Sequence, residues 1–324
     1  MDLRDICLTM RQEIDELEKI VHANLSSTVP FVENVVGYVI HNGGKRLRPI
    51  LTLITSKLSG YQGRASLEIG AAIEFMHTAS LLHDDVIDSA PMRRGRETTN
   101  RKWGNQVSVL VGDFFYCRAM DILVRHGDTK VLRVVTDAVT ILTEGEILEI
   151  TKSNDFQTTQ EDYLRIITGK TASLIGAACQ CGAILGGVSE EFEHSLKRFG
   201  LNLGIAFQLV DDVLDYTAAV EEFGKVNGTD LREGKLTLPL ILAISRSTEK
   251  DRSIIRKALI TDNTSPKEFV EVLRIVEECE GIRDTIKMAR GYVDRATLGL
   301  ASFKPSLEKE TLQRIADYVI SRKM

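Results

Sequence analysis

Two short acidic runs stand out in the sequence: Asp84, Asp85 and Asp88 in LLHDDVIDSAPMRRG, and Asp211, Asp212 and Asp215 in FQLVDDVLDY. Both read DDxxD. Residues four apart share a helix face, so Asp84 with Asp88, and Asp211 with Asp215, can each aim two carboxylates at one point. Like charges held that close repel unless a cation lies between them. The apolar neighbours Leu81, Leu82, Val86, Ile87, Leu209, Val210, Val213 and Leu214 predict buried opposite faces, which places the acids at a cavity edge. Oxygen donors without clustered cysteine or histidine select a hard divalent cation, and magnesium typically bridges carboxylates to a substrate's phosphates. With 21 aspartates in 324 residues, one DDxxD arises by chance about 0.09 times, so two copies carry weight.

A diphosphate held by metal needs positive partners, and several lie near glycines or helix ends. GGKRLRP contributes Lys45, Arg46 and Arg48, and Arg93 and Arg94 follow the first acidic run. Their guanidinium forks suit phosphate oxygens. Lys170, Thr171, Gln208, Lys225 and Lys235 follow in order. Nucleotide readings fail: Gly169-Lys170-Thr171 lacks the glycine five positions earlier, Gly234-Lys235 lacks a following Ser or Thr, and neither GxGxxG nor GxSxG occurs.

The elements that must position these groups read as helices. Leu3, Ile6, Met10, Ile14, Leu17 and Val21 recur every three or four residues, and Leu307, Ile315, Tyr318 and Val319 suggest a second stripe near the C-terminus. No sustained strand-type alternation is found. Breaks at 42–45, 59–64, 126–130, 153–159 and 223–234 divide the chain into roughly ten helices with no interdomain linker, which predicts a single all-α domain over 1–324. The uncharged stretch 171–189 is long enough to be weighed as a membrane span, but its glycines and Gln180 favour a central helix whose neighbours approach closely. The net charge of −5 argues against nucleic acid as a partner. Five cysteines without a CxxC pair, and an N-terminus without an apolar signal core, predict a cytoplasmic protein.

In this order GGKRLRP, EFMHTASLLHDDVIDSAPMRRG, Lys170-Thr171 and FQLVDDVLDY with GTDLREGKLTLP resemble the trans-polyprenyl diphosphate synthase family, long-chain members in particular. The resemblance implies a helical bundle around a deep central cavity, with the two acidic runs facing each other across its mouth. It implies three Mg2+ ions, with Mn2+ as a substitute, held by Asp84, Asp88 and Asp211 first, and by Asp85, Asp212 and Asp215 as further ligands or their supports. Arg93, Lys170 and Lys235, with Lys225 nearby, would hold an allylic diphosphate. Lys45, Arg48, His77 and Arg94 would hold isopentenyl diphosphate, while Thr171 and Gln208 would face the allylic cation. Arg322 and Lys323 read as a frayed basic tail rather than a lid. A homodimer is expected, handing its product to a membrane without spanning one.

The helix preceding Asp84 should flank the growing chain. In the family, bulky residues one turn before the aspartates stop growth early; here Ala79 and Ser80 leave room, with Met76 and Phe75 as the next barriers. A turn of helix spans about 5.4 Å, roughly one isoprene unit. This predicts a product of about C30 to C50; the resemblance places it best at C40 and implies a role in supplying quinone side chains. Farnesyl or geranylgeranyl synthases would differ in product length alone. A terpene cyclase would have no use for Lys45, Arg48 and Arg94, and a phosphohydrolase built on His83-Asp84 would leave the second run unexplained. A silent regulatory subunit would be expected to have lost one run.

Overall fold

Proline and capping chemistry decide where many helices begin. Thr159 and Asp162 exchange hydrogen bonds, the Asp162 N–H to Thr159 Oγ1 at 3.1 Å and the Thr159 N–H to Asp162 Oδ2 at 3.1 Å, opening one helix. Ser265 and Glu268 open another in the same way, with Pro266 at its first position. Such boxes satisfy amides that a helix start leaves without partners. The computed structural model describes residues 10–41, 44, 46–221, 228–260 and 265–322. Its backbone contacts gather into two compact units, Met1–Val139 with Ala177–Lys197 and Lys304–Leu312, and Thr140–Gly176 with Arg198–Phe303 and Gln313–Met324.

The helices in chain order are α1 (Arg11–Asn24), α2 (Pro30–His41), α3 (Leu47–Leu58), α4 (Ala65–Ile87), α5 (Thr99–Trp103), α6 (Asn105–His126), α7 (Thr129–Lys152) and α8 (Gln160–Ile167). After a π-turn at Thr168–Ala172 come α9 (Ser173–Leu185), α10 (Glu190–Glu221), α11 (Thr229–Arg232) and α12 (Leu238–Arg246). The last are α13 (Glu249–Ile260), α14 (Pro266–Glu278), α15 (Gly281–Gly299) and α16 (Leu307–Ser321). Sixteen described α-helices exceed the expected ten because single residues of positive φ make several further breaks. At 186–189 the chain turns on Gly187 (φ 63°), and at 279–280 on Glu280 (φ 58°). An unexpected antiparallel ladder, β1 (Met92–Arg93) with β2 (Arg96–Glu97), closes over Arg94 and Gly95, both of positive φ (53° and 77°) as a tight hairpin turn requires.

In the first unit α4 is the central element, packed on α3 and α6. Phe75 meets Phe115 edge-on at 5.7 Å, and a Cβ on Gly70 would stand 2.9 Å from Pro49 Cα. Ile69, Ile73, Leu51 and Leu123 are fully buried, and each such side chain contributes about 1.5–3 kcal/mol by leaving water. Gly182 and Gly186 lie against α3, where a Cβ would overlap Thr55 Oγ1 and Ser59 respectively. That is the close approach the uncharged stretch predicts. No described helix is long and apolar enough to cross a membrane.

In the second unit Tyr216 is buried and stacks on Phe269 at 6.2 Å, and α12 packs on α14 and α15. The stripe near the C-terminus is partly corrected: Ile315 and Val319 are buried, but Leu307 is 70% exposed and Leu312 is buried instead. Leu3 and Ile6 of the first stripe lie outside the described residues, while Leu17, Ile20 and Val21 are buried on α1.

Candidate active site

The chemistry-bearing residues fall into two sets, one in each unit. In the first, α4 delivers Asp84 and Asp85 at its last turn and Asp88 at its C-cap, whose N–H bonds Asp84 O at 2.8 Å. Adjacent helix residues diverge by about 100°, and Asp85 accordingly turns from Asp84 to accept from Arg93 Nε at 2.7 Å. The Asn100 amide donates to Asp85 O at 2.9 Å and Thr98 Oγ1 to Ala90 O at 2.6 Å, tying the hairpin to the helix end. The expected burial of Ile87 is corrected: it is 56% exposed, while Asp84 and Asp85 are 8% and 4% exposed.

One cavity in this unit is lined by His77, Thr78, Asp85, Arg93 and Arg94, with Arg46 and Glu74. Gly44 admits the Arg94 guanidinium, since a Cβ there would lie 3.1 Å from Nη1. Arg48 is buried, and burial pushes its guanidinium down to about 10, opposed by Glu74 and aided by Arg94. Its Nε has no hydrogen-bond partner among the described residues, a donor that an anion would satisfy. His77 is held well below the ordinary imidazole value of 6.5 by burial and by Arg48, Arg94 and Arg93. The structure thus brings His77, Arg93 and Arg94 together; Lys45 lies outside the described residues. His83 packs against Gly112 and Tyr116, with Nε2 3.2 Å from Val109 O. Ala79, Ser80, Met76 and Phe75 are all buried on α4, and Ser80 Oγ donates to His77 O at 2.9 Å.

In the second unit α10 carries Gln208, Asp211, Asp212 and Asp215. Thr171 Oγ1 donates to Gln208 Oε1 at 3.0 Å, and Gln208 Nε2 donates to Asp212 Oδ1 at 2.8 Å, which fixes the orientation of the amide. The Tyr163 hydroxyl donates to Asp212 Oδ2 at 2.5 Å. Burial raises the Asp212 carboxyl to about 7 against these two donors. Asp215 accepts from the Thr229 and Asp230 amides, each at 3.2 Å, and burial raises it as well.

Asp211 pairs with Arg322 Nη1 at 2.6 Å, and that guanidinium lies 4.2 Å from the Phe207 ring centroid. This corrects the frayed-tail expectation for Arg322: a charge partner and an aromatic face hold its side chain to 15% exposure. Lys323 and Lys225 lie outside the described residues.

Lys170 and Thr171 sit in the π-turn, where the Ser173 N–H reaches Thr168 O and widens the helix. Gly169 and Gly145 let this turn press against α7: a Cβ on Gly145 would be 2.8 Å from Lys170 N, and one on Gly169 2.8 Å from Ile141 O. Lys170 Nζ then stands 2.9 Å from Glu146 and 2.6 Å from Glu149, and Lys235 Nζ 2.7 Å from Glu233. Lys170, Gln208, Asp212 and Lys235 line one cavity with Glu149 and Tyr163. Glu146, Glu149 and Tyr163 are absent from the sequence-based site. The two glutamates, three apart on α7, carried a facing signal, while Tyr163 lies 49 residues from its partner and carried none.

Among the described residues no three His, Cys, Asp or Glu side chains converge on a common metal position, and Asp85, Asp211, Asp212 and Asp215 each take a protein partner. The donors are nevertheless all carboxylate oxygens, chemistry that fits a hard divalent ion.

Comparison with known proteins gives a consistent picture. A family model, polyprenyl synthetase, matches residues 29–276. The octaprenyl diphosphate synthase of Escherichia coli (strain K12) is 40% identical over 323 residues, covering 99% of both chains. A decaprenyl diphosphate synthase structure from Rhodobacter capsulatus superposes with a TM-score of 0.94 at 36% identity, covering 98% of each chain. The polyprenyl synthase of Caulobacter crescentus CB15, solved with calcium and isoprenyl diphosphate, superposes at 0.93 with 36% identity over 100% of this chain and 98% of its own.

Proposed function

The chain belongs to the polyprenyl synthetase family, and from that premise we propose that it adds isopentenyl diphosphate, in successive 1'-4 condensations, to an allylic diphosphate and makes a long-chain all-trans polyprenyl diphosphate. The observation that carries this reading is full-length similarity to long-chain synthases joined to two cation-lined cavities beside the acidic runs.

The family works with a divalent metal. Mg2+ is the proposed ion, three per site, held by Asp84, Asp88 and Asp211, with Asp85, Asp212 and Asp215 as further ligands or supports. When bound it neutralises diphosphate charge and makes that group a better leaving group. Arg93, Lys170 and Lys235 hold the allylic diphosphate, and Arg48, Arg94 and His77 hold isopentenyl diphosphate with Lys45. The allylic C1–O bond breaks and its electron pair leaves on the diphosphate, stabilised by these fixed cations. Thr171 Oγ1 and Gln208 Oε1, paired at 3.0 Å, present oxygen dipoles to the cation. C4 of isopentenyl diphosphate attacks C1, and the C2 proton passes to the released diphosphate.

Small residues at Ala79 and Ser80 favour a product near C40, destined for a quinone side chain and handed to a membrane. The reading takes the chain as one domain, since the matched residues 29–276 draw on both units, and as a cytoplasmic homodimer, which Leu110 and Val124, 67% and 61% exposed on α6, support. The test is incubation with Mg2+, labelled isopentenyl diphosphate and farnesyl diphosphate in detergent, followed by chromatography of the dephosphorylated chains. A metal-dependent ladder ending near C40 is expected. No elongation by folded protein with any allylic primer would overturn the proposal.

A further inference from the structure

Glu149 occupies an unusual position for a residue outside the acidic runs. Its Oε2 lies 2.6 Å from Lys170 Nζ and 3.9 Å from Lys235 Nζ, the two ammonium groups assigned above to the allylic diphosphate. Glu146 stands 2.9 Å from Lys170, and Glu233 2.7 Å from Lys235. Three carboxylates thus face the two ammoniums before any diphosphate arrives. Glu146 and Glu149 are only 15% and 20% exposed, so water and salt screen their charge incompletely.

An ammonium has three N–H donors, and Lys170 directs them at two carboxylates. A diphosphate that engages Lys170 and Lys235 must displace Glu149 or share donors with it, and sharing sets anion beside anion in a half-buried cavity. Asp212, on the same cavity wall, already senses Glu149 as a like charge.

We propose that Glu149 is an exchange partner for the two lysines: it holds them while the site lacks a diphosphate and competes with pyrophosphate for them after bond formation. Such competition suits an enzyme that must shed one pyrophosphate at each of several additions. The inference rests on the assignment of Lys170 and Lys235 to the allylic diphosphate. It also differs in sign from simple positioning. A carboxylate that only aimed the lysines would, when removed, loosen pyrophosphate, whereas a competing one would tighten it.

The experiment measures binding of inorganic pyrophosphate with Mg2+ to the full chain by calorimetry, alongside elongation kinetics. Glu149→Gln, nearly isosteric, is expected to bind pyrophosphate about tenfold more tightly, the worth of one charge-assisted hydrogen bond. Its kcat should fall while the KM for isopentenyl diphosphate stays unchanged. Glu149→Asp keeps the charge and is expected to stay closer to the parent than to Glu149→Gln. Unchanged or weaker pyrophosphate binding in Glu149→Gln overturns the proposal. Lys170→Gln tests the assignment separately, with an expected weakening of tenfold or more. If it binds like the parent, the lysine assignment falls and the inference with it. If it weakens while Glu149→Gln fails to tighten, only the exchange role of Glu149 is lost.

Discussion

Gly145→Ala is the substitution that most directly tests how Lys170 is placed. A Cβ at position 145 would stand 2.8 Å from Lys170 N and 2.9 Å from Gly169 Cα, where ordinary contact begins at 3.4 Å. Both neighbours are backbone, so no rotamer change relieves the clash, and the π-turn must retreat by about 0.6 Å. Overpacking of this kind costs about 1–3 kcal/mol, offset by the roughly 1 kcal/mol that alanine gains over glycine within a helix. Net stability should therefore fall by about 0–2 kcal/mol. Activity should fall further, since a displacement approaching 1 Å at a catalytic group costs up to about 100-fold. Gly37→Ala is the matched control: it lies within α2 with nothing within 4 Å of its added Cβ, and should gain about 0.5–1 kcal/mol with full activity. Urea titration gives the stabilities, and steady-state kinetics give kcat/KM for farnesyl diphosphate. Equal behaviour of the two alanines in both assays would refute the close-approach argument.

Ala79→Phe should shorten the product sharply, because Ala79 is fully buried on α4; an unchanged chain-length ladder on chromatography would count against the proposed path of the product. Tyr163→Phe removes the donor to buried Asp212 and should cost about 1–3 kcal/mol in urea unfolding, with a loss near zero showing that the bond contributes little. His77 gives a pH test whose sign follows from its lowered pKa. Below pH 6.5 the unfolded chain protonates this imidazole while the native chain keeps it neutral, so stability falls as pH falls, by up to about 1.4 kcal/mol per unit, until the native pKa is reached. Above 6.5 both states are neutral and His77 adds no slope. His77→Gln should therefore gain on the parent between about pH 7.5 and pH 5.5, and a constant difference across that window would exclude the linkage.

What the sequence disclosed and what it hid divide along physical lines. The acidic runs, the cations near glycines and the helical class were legible because each rests on local spacing: four residues per helix face, a glycine where backbones meet, an apolar stripe every third or fourth position. Short helices and the Met92–Glu97 hairpin escaped because single residues of positive φ, such as Arg94 and Glu280, break the chain inside charged stretches that read equally well as a solvated helix face. The partners of the acids were the least legible part. Sequence spacing treats DDxxD as convergent carboxylates, yet Asp85 turns to Arg93, Asp211 to Arg322, Asp212 to Tyr163 and Gln208, and Asp215 to the amides of Thr229 and Asp230. Two of these contacts, Asp211 with Arg322 and Asp212 with Tyr163, join residues far apart in the chain, and no local pattern encodes those two. For the buried Asp85 and Asp212 the contacts also follow from electrostatics, since buried carboxylates must be paired, protonated or bound to a cation. Arg322 and Glu149 show the two sides of that requirement: one is a cation answering an acid of the second run, the other an acid answering the cations assigned to diphosphate. On the proposed assignment the chain carries internal counter-charges for both ligands, Arg322 beside Asp211 for the metal and Glu149 beside Lys170 for the diphosphate.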